Sequence, residues 1–152
     1  MPADTDLIQL YSKRILALAA DIPLVEPLAS PMGQAKKRSP LCGSTVSVGL
    51  DLEDGRIAAF GQDVKACALG QASASVLGSV VVGLGADDIA SGREALRAML
   101  KDGATPPSAP FDGLEVLEPA KDYKNRHASI LLAWDATLAA LEDAEAAQSR
   151  QA

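Results

Sequence analysis

The sequence predicts an α+β fold, a three-stranded antiparallel meander packed against a cluster of about four to five helices. Three observations carry that reading. From Thr45 to Leu52, apolar and polar residues alternate with the period of a half-buried strand. Glu53-Asp54-Gly55-Arg56 then reads as a turn, since Asp-Gly readily takes positive φ. Before and after this stretch, apolar residues recur at helical spacing instead.

In chain order, Thr5 or Asp6 caps a first helix that runs to about Ala20, with Leu7, Ile8, Tyr11, Ile15 and Leu18 on its apolar stripe. Pro23, Pro27 and Pro31 exclude regular helix from a connecting segment over residues 21–40 that ends at Pro40 and is expected to be extended and partly mobile. The meander is read as Thr45–Leu52, Ile57–Phe60 and Gln62–Ala66. Ala68 to Val82 reads as a buried helix closed by Gly83 or Gly85. Asp87 caps the next helix, which turns Ile89, Leu96, Met99 and Leu100 inward and ends at Gly103. After a Pro-rich loop, a last helix begins near Asn125 with Ile130, Leu131, Trp134, Leu138 and Leu141 on one side. Residues 145–152 are expected to fray. There is no internal repeat, so the 152 residues are read as one domain.

Composition narrows the function. The chain is 48% apolar but only 3% aromatic, so its core must be built from Leu, Ile, Val and Ala. A net charge of −6 repels phosphate backbones, which argues against nucleic acid as a partner. Lys36-Lys37-Arg38 is the exception, a basic cluster suited to an acidic protein partner. The amino terminus shows no signal-peptide pattern, and Val76 to Leu84 is too short to span a bilayer. A cytoplasmic protein away from membranes is expected, with Cys42 and Cys67 as thiols, metal ligands or redox groups rather than a disulfide.

The placement of these cysteines is the informative feature. Cys42 lies in Ser39-Pro40-Leu41-Cys42-Gly43, where proline stiffens the approach and glycine permits a tight turn. Cys67 stands where a strand gives way to a helix, whose amino terminus favours thiolate. Free cysteines are most often small buried residues, and spacing alone leaves both readings open. It also leaves open whether the two sulfurs meet, since a meander of those three strands carries the start of the first and the end of the third to opposite ends.

Three segments shift that balance. Ser39-Pro40-Leu41-Cys42-Gly43 resembles the Asn-Pro-x-Cys-Gly of the U-type iron–sulfur cluster assembly scaffold family (IscU, SufU and the amino-terminal domain of NifU). Cys67-Ala68-Leu69-Gly70-Gln71-Ala72-Ser73-Ala74-Ser75 resembles its Cys-x-x-x-x-Ala-Ser-x-Ser, and Arg126-His127-Ala128-Ser129 leads into a similar Leu-Ala-Trp helix. The resemblance covers about residues 5 to 142 and implies a non-enzymatic scaffold or carrier. Such a protein accepts sulfur from a cysteine desulfurase, binds iron, zinc or a nascent [2Fe–2S] cluster, and passes it to recipient proteins. Three cysteines and an aspartate make the family's site. Here Ser44 stands in place of the aspartate and Ser129 in place of the third cysteine, or Ala128 if a one-residue gap intervenes.

The ligand set implied for this chain is therefore Cys42 and Cys67, with His127 as the available imidazole and water, Asp63 or a partner's thiol filling an open position. Neutral serine is a poor metal ligand, so such a site binds metal more weakly than four anionic or imidazole ligands would. His127 reads equally well as a residue capping the helix start, and Ser129 as one that hydrogen-bonds the backbone. The second functional reading is a sulfur-acceptor or regulatory protein of the same fold that has lost stable cluster binding. A thiol hydrolase using Cys42 and His127 ranks third, since no other general base is evident.

Overall fold

The computed structural model describes residues 12–40 and 43–151. In chain order these form α1 (Lys13–Ala20), β1 (Gly33–Arg38), β2 (Thr45–Glu53), β3 (Arg56–Lys65), α2 (Ala68–Val80), α3 (Ala86–Asp102), a 3-10 segment (Asp112–Asp122) and α4 (Lys124–Gln151). The fold is α+β, with one antiparallel sheet of three strands in the order β1-β2-β3.

The sheet has the expected number of strands but not the expected members. The alternation of β2 is as read, with Val46, Val48, Leu50 and Leu52 buried. The two short strands predicted after the turn are one strand, β3, which pairs with β2 from Arg56 to Lys65 through a bulge near Asp51 and Leu52. Gly61, which reads as a break, is a continuous strand position. A Cβ there would collide with the Glu26 carbonyl and crowd Leu28 N at 3.2 Å, so glycine admits the connecting segment rather than ending the strand. The third strand is β1, inside the stretch expected to be irregular. It pairs Gly33 with Leu50 through Arg38 with Thr45.

The rest of that segment crosses the outer face of the sheet. Met32 N–H donates to Asp51 Oδ1 at 2.8 Å, and Gln62 N–H donates to Leu24 O at 2.9 Å. The inner face packs against α4, which also touches α2 and α3, so the last helix is central to the layers. One contiguous apolar cluster joins Val46, Leu50, Leu69, Leu96, Leu117 and Trp134.

Several boundaries differ from the sequence reading. The described part of the first helix starts after Ser12, whose Oγ accepts from Ile15 N at 3.3 Å. The expected caps Thr5 and Asp6, with Leu7, Ile8 and Tyr11, lie outside the described residues. Helix α3 begins on Gly85 rather than Asp87, and Asp88 Oδ2 accepts the Gly85 N–H at 2.9 Å. Its end at Gly103 is as expected, with φ of 69°. The 3-10 segment was not anticipated. Helix α4 continues through Gln151 instead of fraying after Ala144.

Candidate functional site

The antiparallel pairing of β2 with β3 decides where the cysteine-bearing segments go. Thr45 pairs with Lys65, so the residues just before Thr45 and just after Lys65 share one end of the sheet. This corrects the expectation that the two ends lie apart. That expectation followed from splitting β3 in two, which adds a reversal the chain does not make.

At this end, residues 39–44 connect β1 to β2. Ser39 N–H donates to Ser44 O at 2.8 Å, and Gly43 N–H donates to Ser39 O at 2.9 Å. Gly43 is exposed and has φ of 69°, a left-handed conformation that favours glycine. Cys42 and Leu41 lie outside the described residues.

Cys67 occupies the N-cap position of α2 with extended backbone, and its side chain makes no capping hydrogen bond. It is a free, half-buried thiol. The sulfur faces α4, where Cys67 Sγ lies 3.5 Å from Ser129 Oγ. Ser129 Oγ in turn lies 3.1 Å from Ser44 Oγ. Both serines are buried. Side chains from the β1–β2 connection, the start of α2 and the second turn of α4 thus meet in one chain of contacts. Ser129, which stands in place of the third cysteine and reads as well as a residue hydrogen-bonding the backbone, contacts side chains of two other segments.

This approach depends on Gly70, which sequence reasoning passed over. A Cβ at that position would lie 2.8 Å from Ser129 Oγ and 2.9 Å from Ala66 Cβ. Only glycine lets α2 and α4 close this far without displacement. A glycine three residues after a cap-position cysteine was the available signal.

His127 is placed differently. It is buried, and its Nε2 lies 3.0 Å from Ala120 O and 3.2 Å from Lys121 O. Both neighbours are acceptors, so Nε2 carries the proton and only Nδ1 would remain for a metal. The ring therefore ties the end of the 3-10 segment to the start of α4. Asp63 is exposed and lines a cavity on the outer sheet face with Ser47, Gly49 and Gly61. Among the described residues, no three His, Cys, Asp or Glu side chains gather closely enough to hold a metal.

The separations in the contact chain are nevertheless those expected between ligands of one small metal centre, which lie within roughly 4 Å of each other. What differs is the chemistry of the donors. Two neutral hydroxyls and one thiol supply a single good anionic ligand, so the described residues alone do not make a closed site.

This arrangement defines a class: a small α+β protein with a half-buried thiol and two buried hydroxyls clustered at one end of an antiparallel sheet. Comparison places it within that class. The structure resembles the crystal structure of a nitrogen-fixing NifU-like protein (N-terminal) from Brucella abortus, with a TM-score of 0.89 and 42% identity over 93% of this chain and 98% of that one. The chain belongs to the U-type iron–sulfur cluster scaffold family, alongside NifU-like amino-terminal domains. An iron–sulfur cluster assembly scaffold protein assigned to the SUF system of Fervidobacterium islandicum AW-1 shares the fold at a TM-score of 0.77 and 18% identity, covering 88% of this chain and 98% of its own. No family model matches the chain, and no curated protein does. Among the described residues, no helix is long and apolar enough to cross a membrane.

Proposed function

We propose that this protein is a scaffold or carrier in iron–sulfur cluster assembly, working in the cytoplasm without catalytic turnover of its own. Cys42 and Cys67 accept sulfur and hold iron, zinc or a nascent [2Fe–2S] cluster as cargo. The observation that carries this reading is the convergence of Ser44, Cys67 and Ser129, three positions matching the family's ligand positions, within 3.5 Å steps.

Sulfur enters by thiol exchange. A cysteine thiolate of this protein attacks the terminal sulfur of a desulfurase persulfide. The new S–S bond forms as the old one breaks, and the desulfurase leaves as thiolate. No oxidant is consumed, because the transferred sulfur arrives already at the persulfide level. Its entry into a cluster as sulfide takes two electrons per sulfur from a thiol reductant, which is dithiothreitol in the test below. Recipient proteins then take the assembled cargo.

The test is anaerobic loading with ferrous iron, cysteine, a cysteine desulfurase and dithiothreitol, followed by iron and acid-labile sulfide analysis. Wild type should retain both, and Cys42→Ser and Cys67→Ser proteins should lose them. Equal retention by all three proteins would remove the proposal.

The hydroxyl pair favours a second reading. Ser44 and Ser129 contact each other where the family has an aspartate and a cysteine, which weakens any metal site. A sulfur-acceptor protein that keeps the fold would show persulfide on Cys42 or Cys67 with no bound metal. Stoichiometric cluster in the loading experiment excludes that alternative.

A further inference from the structure

We propose that the outer edge of β1 receives an acidic, extended segment of a partner protein as a fourth strand. The two edges of the sheet are finished differently. The β3 edge is closed by the chain itself: Gln62 N–H donates to Leu24 O, Ile57 N–H to Leu84 O, and Gly83 N–H to Ile57 O. Among the described residues, the β1 edge is closed at one point only. Gln34 N–H, pointing outward, donates to Asp143 Oδ2 of α4 at 3.0 Å.

Strand alternation turns the amides of Lys36 and Arg38 to the same outward side as Gln34. Ser39 N–H, of the opposite parity, points inward to Ser44 O, as that alternation requires. Among the described residues, no backbone bond reaches the amides of Lys36 or Arg38. Among the described residues, this edge therefore offers open main-chain groups beside a carboxylate that already serves one of its amides.

The side chains define what fits. Lys36, Lys37 and Arg38 are all exposed, and none of the ion pairs among the described residues involves them. They form a compact positive patch on a chain of net charge −6. Lys37 shares a face with Gly33, which packs against α4. Lys36 and Arg38 lie on the outer face.

Between the strand and α4 runs a groove of about 310 Å³ with Leu132, Leu138 and Ala139 along it and Lys37 and Arg38 on its strand side. Glu142 and the Arg93-paired Asp135 on its α4 side already set carboxylates opposite Lys37 and Arg38, so the groove favours an apolar side chain over a further carboxylate. An incoming strand should thus alternate, with acidic side chains over Lys36 and Arg38 and apolar ones toward the groove. A second copy of this chain fits poorly, because pairing two β1 edges sets like charges opposite one another.

The proposal stands whether or not the cysteines accept sulfur. Its test titrates the full chain with a fluorescein-labelled peptide of alternating Glu and Val, read by anisotropy, with amide hydrogen exchange as the second observable. The Glu–Val peptide should bind and slow exchange at Lys36 and Arg38, while an alternating Lys–Val peptide should not bind. Combined Lys36→Glu and Arg38→Glu should weaken binding at least about tenfold, and combined Lys36→Gln and Arg38→Gln by less. Absence of Glu–Val binding, binding indifferent to charge reversal, or protection elsewhere would overturn it. So would concentration-dependent protection of both amides without peptide, which identifies a second copy as the occupant.

Discussion

Two hydroxyl bridges tie the α2 end of the molecule to α4, and they end on different chemistry. The inner bridge runs from Trp134 Nε1–H to Ser73 Oγ at 3.0 Å, and from Ser73 O–H to Ile130 O at 2.7 Å. Every group in it is buried, and Phe111 stacks edge-on against Trp134 at 4.9 Å. The outer bridge runs from Ser44 through Ser129 to Cys67 and ends on a half-buried thiol. The inner one satisfies buried donors, so its loss costs folding energy. The outer one ends on a half-buried thiol at the rim, so under the proposed function its loss should register in chemistry more than in stability.

The largest expected effect is on the inner side. Trp134→Ala removes a fully buried ring and should destabilise the protein by about 3–5 kcal/mol in urea unfolding. Ser73→Ala leaves the Trp134 N–H unpaired in the core and should cost about 1–3 kcal/mol. Ser129→Ala takes a partner from buried Ser44 as well as from Cys67 and should cost about 1 kcal/mol, less than Ser73→Ala, since the half-buried Cys67 thiol can be solvated in its place. If Ser129→Ala unfolds the protein more readily than Ser73→Ala, the division between the two bridges is wrong.

The smallest effect lies outside both. The hydrogen bond from Arg97 holds the Glu94 carboxyl below its ordinary 4.5, with desolvation opposing. A lowered folded-state value adds stability above pH 4.5 that is lost as pH falls through the folded value. The pair sits at the surface and is screened, so the contribution is small. Glu94→Gln should melt slightly below wild type at neutral pH and equal to it well below pH 4.5. A larger gap in acid would reverse the assigned sign.

How far the sequence can be read follows the same inner-to-outer gradient. The alternation of β2 was visible because one face is buried along its whole length. The buried stripe of α3 and its end at Gly103 were visible for similar reasons. Strand β1 was not, since Gly-Gln-Ala-Lys-Lys-Arg lacks β-branched residues and becomes a strand only by pairing with β2. Gly61 misled because glycine marks both strand ends and close backbone approaches, and only the position of Glu26 tells which applies.

At the site, Cys67 before a helix was legible from local pattern. The meeting of Ser44 with Ser129 was not, because 85 positions separate them and no period links them. The structure brings those serines together with Cys67, while Cys42 lies beyond the described residues. His127, singled out as the one imidazole, is bound through Nε2 to two carbonyls.

The claim beneath the functional reading is that Ser129 and Cys67 share one potential metal site with Cys42. Zinc affinity of Ser129→Cys against wild type, measured by competition with a chromophoric chelator, addresses it directly. A third thiolate at that position should tighten zinc by at least about tenfold, and adding Cys67→Ser should abolish the gain. Unchanged affinity in Ser129→Cys, or a gain that survives Cys67→Ser, would mean that these residues do not face a common centre.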